Sequence, residues 1–260
     1  MCTLTVAWQT FPSHPVVVAA NRDERYDRPS TPPHAFDVEG RRVVAPTDDE
    51  AGGTWMGYND AGLFVALTNR WVQVPEGERS RGLLVRDVLG CESAEDAARL
   101  VERELDATRY EGFYLLLADA NACILVSNDG GTHVTHLDPG VHVVMNVGYD
   151  TAYFVPEFRP EPAERQAENG RRLYDALQPD PGESAVEWRD RAGSALGDHR
   201  YGVCIHNEGE SGETAGFGTV SSSLVTIDDD GRGEFHFADG PPCETAFERV
   251  GAEARTDSQT

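Results

Sequence analysis

The chain has 260 residues, a length that allows one large domain with a full hydrophobic core. Its 45 acidic residues outnumber 22 basic ones, the formal net charge is -23, and every basic residue is arginine. The absence of lysine excludes lysine-bound pyridoxal phosphate and a Walker A loop, and the acidic balance argues against nucleic-acid binding.

The distribution of charge and hydropathy predicts a soluble cytoplasmic protein from a salt-rich cytosol. The acidic residues are spread along the whole chain. At about 1 M salt the Debye length is about 3 Å, so their mutual repulsion is screened. No apolar run approaches the roughly 20 residues of a membrane span, and no secretory leader pattern opens the chain. We therefore expect no membrane insertion. The sequence does not predict an oligomeric state.

The first half of the chain predicts mainly strands, with one pair of helices. Strands are expected at 2–8, 15–21, 43–45, 54–58, 62–68, 113–118, 122–127, 132–136 and 141–146, and helices at 79–89 and 94–107. Val16–Ala20 is apolar on both faces, which indicates a strand inside a layered core. Residues 22–33 are predicted to be a charged loop, and Asn128–Gly131 a hairpin turn.

The second half continues with two helices and a final group of strands. Helices are expected at 163–177 and 185–196, strands at 202–206, 217–227 and 234–237, and an acidic loop at 207–216. The order of strands and helix pairs predicts an α+β fold of antiparallel sheets covered by helices. We expect one domain over residues 1–251 and a disordered tail at 252–260.

Cys2 is the first candidate functional residue. If Met1 is removed, Cys2 carries both a thiol, with a pKa near ~8.5, and a free α-amine, with a pKa near ~8. That pair is a nucleophile with its own candidate base. The alternative is an ordinary small residue at the start of a strand.

Three further motifs lie at the ends of predicted strands, and one of them, Gly52–Gly57, is a turn that leads into its strand. In Asn21-Arg22-Asp23-Glu24, one of Arg22 and Asp23 can face a site while its neighbour anchors the loop, because adjacent strand residues face opposite sides. Gly52–Gly57 allows close backbone approach. Asn69 and Asn146 each end an apolar strand, where an amide can donate to an oxyanion. The alternatives are a solvated charge run, a plain hairpin and turn-forming asparagines.

Together these residues resemble the NRDE proteins, the transport and Golgi organisation protein 2 family. The resemblance rests on the initial Met-Cys, on Ala-Ala-Asn-Arg-Asp-Glu near residue 20, on Gly-Gly-Thr-Trp near 53 and on Leu-Thr-Asn near 68. It covers at least residues 1–150, with weaker matches to about 237.

That family is similar to the N-terminal-nucleophile (Ntn) hydrolases, especially the choloylglycine hydrolase and penicillin acylase group. The resemblance implies a four-layer αββα sandwich and cleavage of linear amides. It implies Cys2 as nucleophile with its α-amine as base, Arg22 and Asp23 beside it, Asn69 in the oxyanion hole and Asn146 as the second site asparagine.

One departure from the family pattern favours a second hypothesis. Val220, in Phe217–Ser223, stands where an arginine of the site is expected. The absence of that arginine argues against full amidase chemistry. The alternative function is a non-catalytic carrier of haem or of an acyl-coenzyme A or lipid. The hydrolase needs no cofactor, whereas haem is possible under the alternative; either way the partner is a small-molecule substrate or ligand.

The cysteines and histidines predict neither a disulfide framework nor a metal site. The five cysteines are an odd number without CxxC spacing. Cys204 and His206 share one face of the predicted strand, but a metal would need two further ligands, and no HxxxH or CxxC motif supplies them.

Overall fold

The computed structural model describes residues 2–207 and 216–251. The strands are β1 Thr3–Phe11, β2 His14–Arg25, β3 Ser30–Val38, β4 Arg41–Asp48, β5 Met56–Asn59, β6 Phe64–Asn69, β7 Phe113–Ala118, β8 Cys123–Asn128, β9 Thr132–His136, β10 Gly140–Met145, β11 Gly148–Tyr149, β12 Ala152–Tyr153, β13 His206–Asn207, β14 Phe217–Ile227, β15 Gly233–Ala238 and β16 Glu248–Arg249. The helices are α1 Arg81–Val88, α2 Ala94–Ala107, α3 Pro160–Ala176 and α4 Ala185–Gly197, with a 3₁₀ helix at His199–Tyr201.

The strands form two antiparallel sheets. The first runs β12-β11-β10-β1-β2-β14-β15-β16, with β13 also paired to β14. The second runs β3-β4-β5-β6-β7-β8-β9. The first strand of the chain therefore lies inside its sheet, hydrogen-bonded to β10 on one side and β2 on the other.

The packing of apolar side chains produces four layers. Val16 and Val18 of β2 pack with Leu116 of β7 in a core between the two sheets. Val17 on the opposite face of β2 packs with Trp188 of α4. A third cluster joins the second sheet to α1 and α2. The order is thus helix, sheet, sheet, helix, and the expectation that β2 is buried on both faces is confirmed.

Several local predictions are confirmed. The Asn128–Gly131 turn joins β8 and β9 as an antiparallel hairpin. The helix expected at 185–196 is α4, and Ser184 and Glu187 form a reciprocal capping box at its start.

Two local predictions are wrong. Residues 22–33 are not a loop, because β2 continues to Arg25 and β3 begins at Ser30. The charges of this segment are paired with one another and with β4, which lets strands form in a polar sequence. The strand expected at 202–206 is a short turn instead, since Gly202 has a left-handed φ of 65° and only His206–Asn207 pairs.

None of the helices in the described part of the chain is long and apolar enough to cross a membrane. Most of the expected acidic loop (208–215) and the expected tail (252–260) lie outside the described residues. The single domain over 1–251 stays a prediction.

Candidate active site

Cys2 lies at the end of a central strand. It directly precedes β1, whose first residue, Thr3, pairs with Asn21 of β2. The backbone nitrogen of Cys2 donates to Asn146 Oδ1 at 3.2 Å, and its Sγ lies 3.9 Å from the carbonyl oxygen of Asp23. Burial raises the pKa of the Cys2 thiol above its ordinary value. The resting side chain is therefore a thiol that needs a base.

Asp23 is a buried carboxyl held by the neighbouring strand. It lies opposite Thr219 of β14, and the Thr219 hydroxyl donates to Asp23 Oδ1 at 2.6 Å. Its residue is only 4% exposed. Burial raises the pKa of Asp23 to about 6, although the bond from Thr219 opposes that rise. Asp23 can consequently change its protonation state just below neutral pH.

Arg22 is a buried cation fixed by three contacts. Its guanidinium lies 4.0 Å from the ring centre of Trp55, donates to Ser30 Oγ at 3.2 Å and lies 3.8 Å from Asp48 Oδ2. Burial lowers the pKa of this guanidinium, but an arginine in this setting stays charged. Its positive charge is therefore rigidly placed near Cys2.

Both Arg22 and Asp23 line the cleft in front of Cys2. The expectation that one of them faces the site while the other anchors a loop is therefore wrong. The register of β14 against β2 explains this. Thr219 pairs with Asp23 and Ser221 with Arg22, which leaves Val220 as an extra residue in a β-bulge. Such a bulge increases the local twist and changes the direction of nearby side chains.

The Gly52-Gly53-Thr54-Trp55 turn places Trp55 against Arg22. A Cβ on Gly53 would lie 2.2 Å from the carbonyl carbon of Gly82, so only glycine fits where this turn meets α1. The Thr54 nitrogen donates to the Gly82 carbonyl oxygen at 3.0 Å. The turn therefore packs directly on the start of α1 and holds it at the rim of the cleft.

The two asparagines occupy different places. Asn69 is exposed at the end of β6 and lines the cleft. Asn146 is 1% exposed; its Oδ1 accepts from the Cys2 nitrogen and from Gln166 Nε2, and its Nδ2 donates to the Asn69 carbonyl oxygen at 2.6 Å. The amide oxygen of Asn146, rather than its nitrogen, is thus directed at Cys2.

The cleft in front of Cys2 is small and polar, with a volume of about 130 Å³. Its walls are Cys2, Arg22, Asp23, Glu24, Arg28, Asp48, Thr54, Trp55, Leu67, Asn69, Ser80, Arg81 and Gly82. Cys2 also lines a tighter, mainly apolar slot of about 20 Å³, together with residues such as Leu4, Ala20 and Met56. Cys2 thus contributes to the walls of both a polar and an apolar compartment.

Sequence reasoning missed several residues of this site. Thr219 and Gln166 hold Asp23 and Asn146, and Arg81, the first residue of α1, adds a cation to the cleft wall. Arg81 donates to the Gly112 carbonyl oxygen at 2.8 Å and pairs with Glu111. None of these residues belongs to a local motif, so only the pairing of distant elements identifies them.

Comparison with known protein families gives a match over most of the chain. The model of the family described as Transport and Golgi organisation 2 matches residues 1–238. Homologues of Transport and Golgi organization protein 2 from Bos taurus and Homo sapiens are each 28% identical over 247 residues, covering 85% of this chain and 84% of the relative. A Mus musculus homologue is 30% identical over 147 residues, 53% of this chain.

Comparison with solved structures identifies the fold. Penicillin V acylase from Agrobacterium tumefaciens matches with a TM-score of 0.56 and 16% identity, over 92% of this chain and 83% of that one. An N-acylethanolamine-hydrolyzing acid amidase orthologue from Caenorhabditis elegans gives 0.55 and 14%, over 89% and 94%. A mutant conjugated bile acid hydrolase from Clostridium perfringens gives 0.54 and 13%, over 98% of each chain. The four layers are those of the N-terminal-nucleophile hydrolases.

Proposed function

The chain belongs to the Transport and Golgi organisation 2 family, and we propose that it is an amidohydrolase in which Cys2 attacks a linear carbon–nitrogen amide. The observation that carries the proposal is the fixation of Cys2 at both of its reactive atoms. Its nitrogen, which becomes the α-amine once Met1 is removed, is held by Asn146 Oδ1, and the residue lines a cleft whose walls also contain arginines, carboxyls and the exposed amide of Asn69. The three structures that share this fold are named as a penicillin V acylase, an N-acylethanolamine-hydrolyzing acid amidase and a conjugated bile acid hydrolase.

In the first half of the proposed reaction, the α-amine of Cys2 takes the thiol proton after Met1 has been removed. The thiolate then attacks the carbonyl carbon, and the oxyanion is stabilised by the side-chain amide of Asn69. The α-ammonium returns the proton to the departing amine, which leaves a thioester on Cys2. Arg22 lowers the cost of forming the thiolate in this buried setting.

In the second half, water attacks the thioester carbonyl, and the same α-amine removes its proton. The thiolate leaves, takes a proton and releases the carboxylic acid, so the net reaction is amide plus water to acid plus amine. Asp23, held by Thr219, interacts electrostatically with the ammonium form of the N-terminus. Asn146 holds the Cys2 nitrogen, a positioning role instead of the oxyanion role expected from its place at the end of an apolar strand.

The dimensions of the site favour a small substrate near the reacting bond. The cleft of about 130 Å³ is well below the roughly 300–1,000 Å³ of pockets that enclose drug-sized ligands. We therefore infer a compact acyl or amine group, with any larger part of the substrate outside the cleft.

A non-catalytic carrier remains the second candidate, because the relatives are named for transport and Golgi organisation and because Val220 stands where an arginine is expected. The Cys2 cleft, at about 130 Å³, is too small to enclose the haem macrocycle. At this cleft, the carrier hypothesis therefore favours an acyl thioester or lipid held at the mouth.

Intact mass combined with thiol labelling tests the hydrolase. The protein, kept in molar KCl, is incubated with penicillin V, an N-acylethanolamine and a conjugated bile acid. We expect Met1 to be absent, Cys2 to label faster than Cys91, and an acyl adduct to form on Cys2. Cys91→Ala should keep the adduct and Cys2→Ala should lose it; Cys91 is a free cysteine outside the cleft.

Two results would contradict the hydrolase: retained Met1, or a Cys2 no more reactive than Cys91. A Cys2→Ala variant that binds an acyl thioester as tightly as the wild type, while the wild type forms no adduct, would support the carrier instead.

A further inference from the structure

A cluster of two cysteines and two histidines lies outside the cleft walls described above. His199 is in the 3₁₀ helix, Cys204 and His206 lie two residues apart after it, and Cys243 follows β15. One ligand atom from each of the four side chains lies within 4.8 Å of all the others. The closest distances are 3.2 Å from His206 Nε2 to Cys243 Sγ and 3.5 Å from Cys204 Sγ to both His206 Nε2 and Cys243 Sγ.

We propose that these four side chains bind one Zn²⁺ in a closed, tetrahedral Cys₂His₂ site. Zinc binds thiolate sulfur at about 2.3 Å and imidazole nitrogen at about 2.0–2.1 Å. A tetrahedron with those bond lengths separates its ligand atoms by about 3.3–3.8 Å. The S–S distance of 3.5 Å and the N–S distances of 3.2 and 3.5 Å are shorter than the roughly 3.8 and 3.6 Å of such a tetrahedron by at most about 0.4 Å. His199 lies within 4.8 Å of the other three ligand atoms, so side-chain shifts of about 1 Å or less complete the site.

The chemistry of the four ligands selects the ion. Thiolate and imidazole suit zinc, whereas calcium and magnesium require oxygen ligands, which this quartet lacks. Two thiolates also balance the charge of a divalent ion. Four protein ligands leave no open position, which is the arrangement of structural zinc sites. The Sγ–Sγ distance of 3.5 Å is far above the roughly 2.05 Å of a disulfide.

The local backbone brings the ligands together from separate parts of the chain. Gly202, with a φ of 65°, ends the 3₁₀ helix and turns the chain between His199 and Cys204. A Cβ on Gly197 would lie 2.9 Å from the Pro242 carbonyl oxygen, so the segment that carries Cys243 packs directly on the end of α4. The nitrogen of Thr245 donates to the Pro241 carbonyl oxygen and closes a turn around Cys243.

The proposed ion would stabilise a segment that reaches the active site. Ile205 lies between Cys204 and His206; its nitrogen donates to Thr219 Oγ1 at 2.9 Å, and its carbonyl oxygen accepts from the Thr219 nitrogen at 2.8 Å. The Thr219 hydroxyl is the group that holds Asp23. Zinc would thus stabilise the Cys204–His206 segment, which holds Thr219 and, through it, Asp23. The site itself does not depend on whether Cys2 cleaves an amide.

The expectation of no metal site is replaced by this proposal. Cys204 and His206 alone lack two ligands, and the structure supplies His199 from five residues before Cys204 and Cys243 from 37 residues after His206. No compact motif contains this spacing, which is why local sequence patterns do not reveal it.

Metal analysis of purified protein tests the site. The wild type, Cys243→Ser and Cys91→Ser are purified in molar KCl with reductant, and zinc is measured by inductively coupled plasma mass spectrometry. We expect about one zinc per chain in the wild type and in Cys91→Ser. Cys243→Ser should bind zinc more than ~100-fold more weakly in competition with a chromophoric chelator, since even outer-shell partners contribute 10- to 100-fold.

Cobalt substitution adds a spectroscopic signature. Co²⁺ added to the metal-free wild type should give the visible and thiolate-to-metal bands of a tetrahedral site, and Cys243→Ser should lose them. Near-ultraviolet circular dichroism checks that the variants are folded. If Cys243→Ser fails to fold, His199→Asn on the exposed 3₁₀ helix takes its place, with the same loss expected.

Three results would overturn the proposal. The first is a wild type that contains no zinc and gives no cobalt bands. The second is zinc affinity that falls as much in Cys91→Ser as in Cys243→Ser. The third is a Cys204–Cys243 disulfide, seen as the loss of two hydrogens in the intact mass of protein purified under reductant.

Discussion

Asp23 is an ionisable residue of the candidate site that the fold removes from water. Its pKa is raised from 3.8 to about 6, chiefly by burial. The folded protein therefore binds this proton more tightly than the unfolded chain. The resulting stability is fully present below about pH 4 and is lost as pH rises from about 4 to about 6. At neutral pH the ionised carboxylate lowers the free energy of unfolding.

Replacing Asp23 with asparagine should therefore stabilise the protein at neutral pH and impair catalysis. Two pKa units at about 1.36 kcal/mol each predict a gain of roughly 2–3 kcal/mol in unfolding free energy at pH 7, with little gain near pH 4. Chemical denaturation in molar salt at both pH values measures it. Asp106→Asn on the exposed face of α2 is the control, expected within about 0.5 kcal/mol of the wild type. A gain that is equal at the two pH values would contradict the assignment.

Alanine substitutions of the two site asparagines should have different effects, one on kcat and the other on stability. Asn69→Ala removes an exposed amide, so we expect kcat to fall by about 10²–10³ with little change in stability. Asn146→Ala leaves the Cys2 nitrogen, Gln166 Nε2 and the Asn69 carbonyl oxygen without the side chain that joins them. That loss should cost at least about 1–3 kcal/mol of unfolding free energy. Steady-state kinetics and urea denaturation distinguish the two, and similar stability losses would contradict the assignment.

At the scale of elements, the meeting of the Gly52-Gly53 turn with α1 controls the shape of the cleft. A methyl group at Gly53 would collide with the backbone of Gly82, whereas Gly52 has open space around its Cβ position but a φ of +70°. We expect Gly53→Ala to cost about 3 kcal/mol and Gly52→Ala only about 1–2 kcal/mol. Thermal denaturation of the matched pair tests this order, and the reverse order would show that backbone strain outweighs the close contact.

The bulge at Val220 is a second element-scale feature of the site. It lies in β14 directly opposite Arg22 and Asp23, so it changes the strand direction where both side chains enter the cleft. Val220, which stands where an arginine is expected, thus lies at an irregular point of the sheet. Positive charge in the cleft comes instead from Arg22, Arg28 and Arg81.

At the scale of the whole molecule, charge should set the conditions for folding. A net charge of -23 on 260 residues produces self-repulsion that dilute buffer does not screen. We expect the protein to lose structure as KCl is lowered from molar to millimolar concentration and to recover when salt is restored. Far-ultraviolet circular dichroism during dialysis measures this, with sucrose as a non-ionic control. Full structure without added salt would contradict the prediction.

The sequence predicts the layered fold well because the information is local. Alternating and continuous apolar runs define the strands, and Ser184 and Glu187 define the start of a helix. The candidate residues Cys2, Arg22, Asp23 and Asn69 were also found from motifs, and the structure brings them to one cleft. Thr219 and Cys243 could not be found in this way, because each acts only through residues far away in the chain.

The stacking of Trp55 on Arg22 also has an optical consequence. Of the four tryptophans, Trp8 and Trp188 are buried in apolar cores and Trp71 lies 4.2 Å from the guanidinium of Arg159. Among the residues that the structure describes, Trp55 is the only tryptophan that lines the cleft. Its indole emission is therefore an internal probe of the cleft: a ligand that displaces water or shifts Arg22 changes the fluorescence of this ring. Occupancy can thus be followed in molar salt without a label and before any substrate is known.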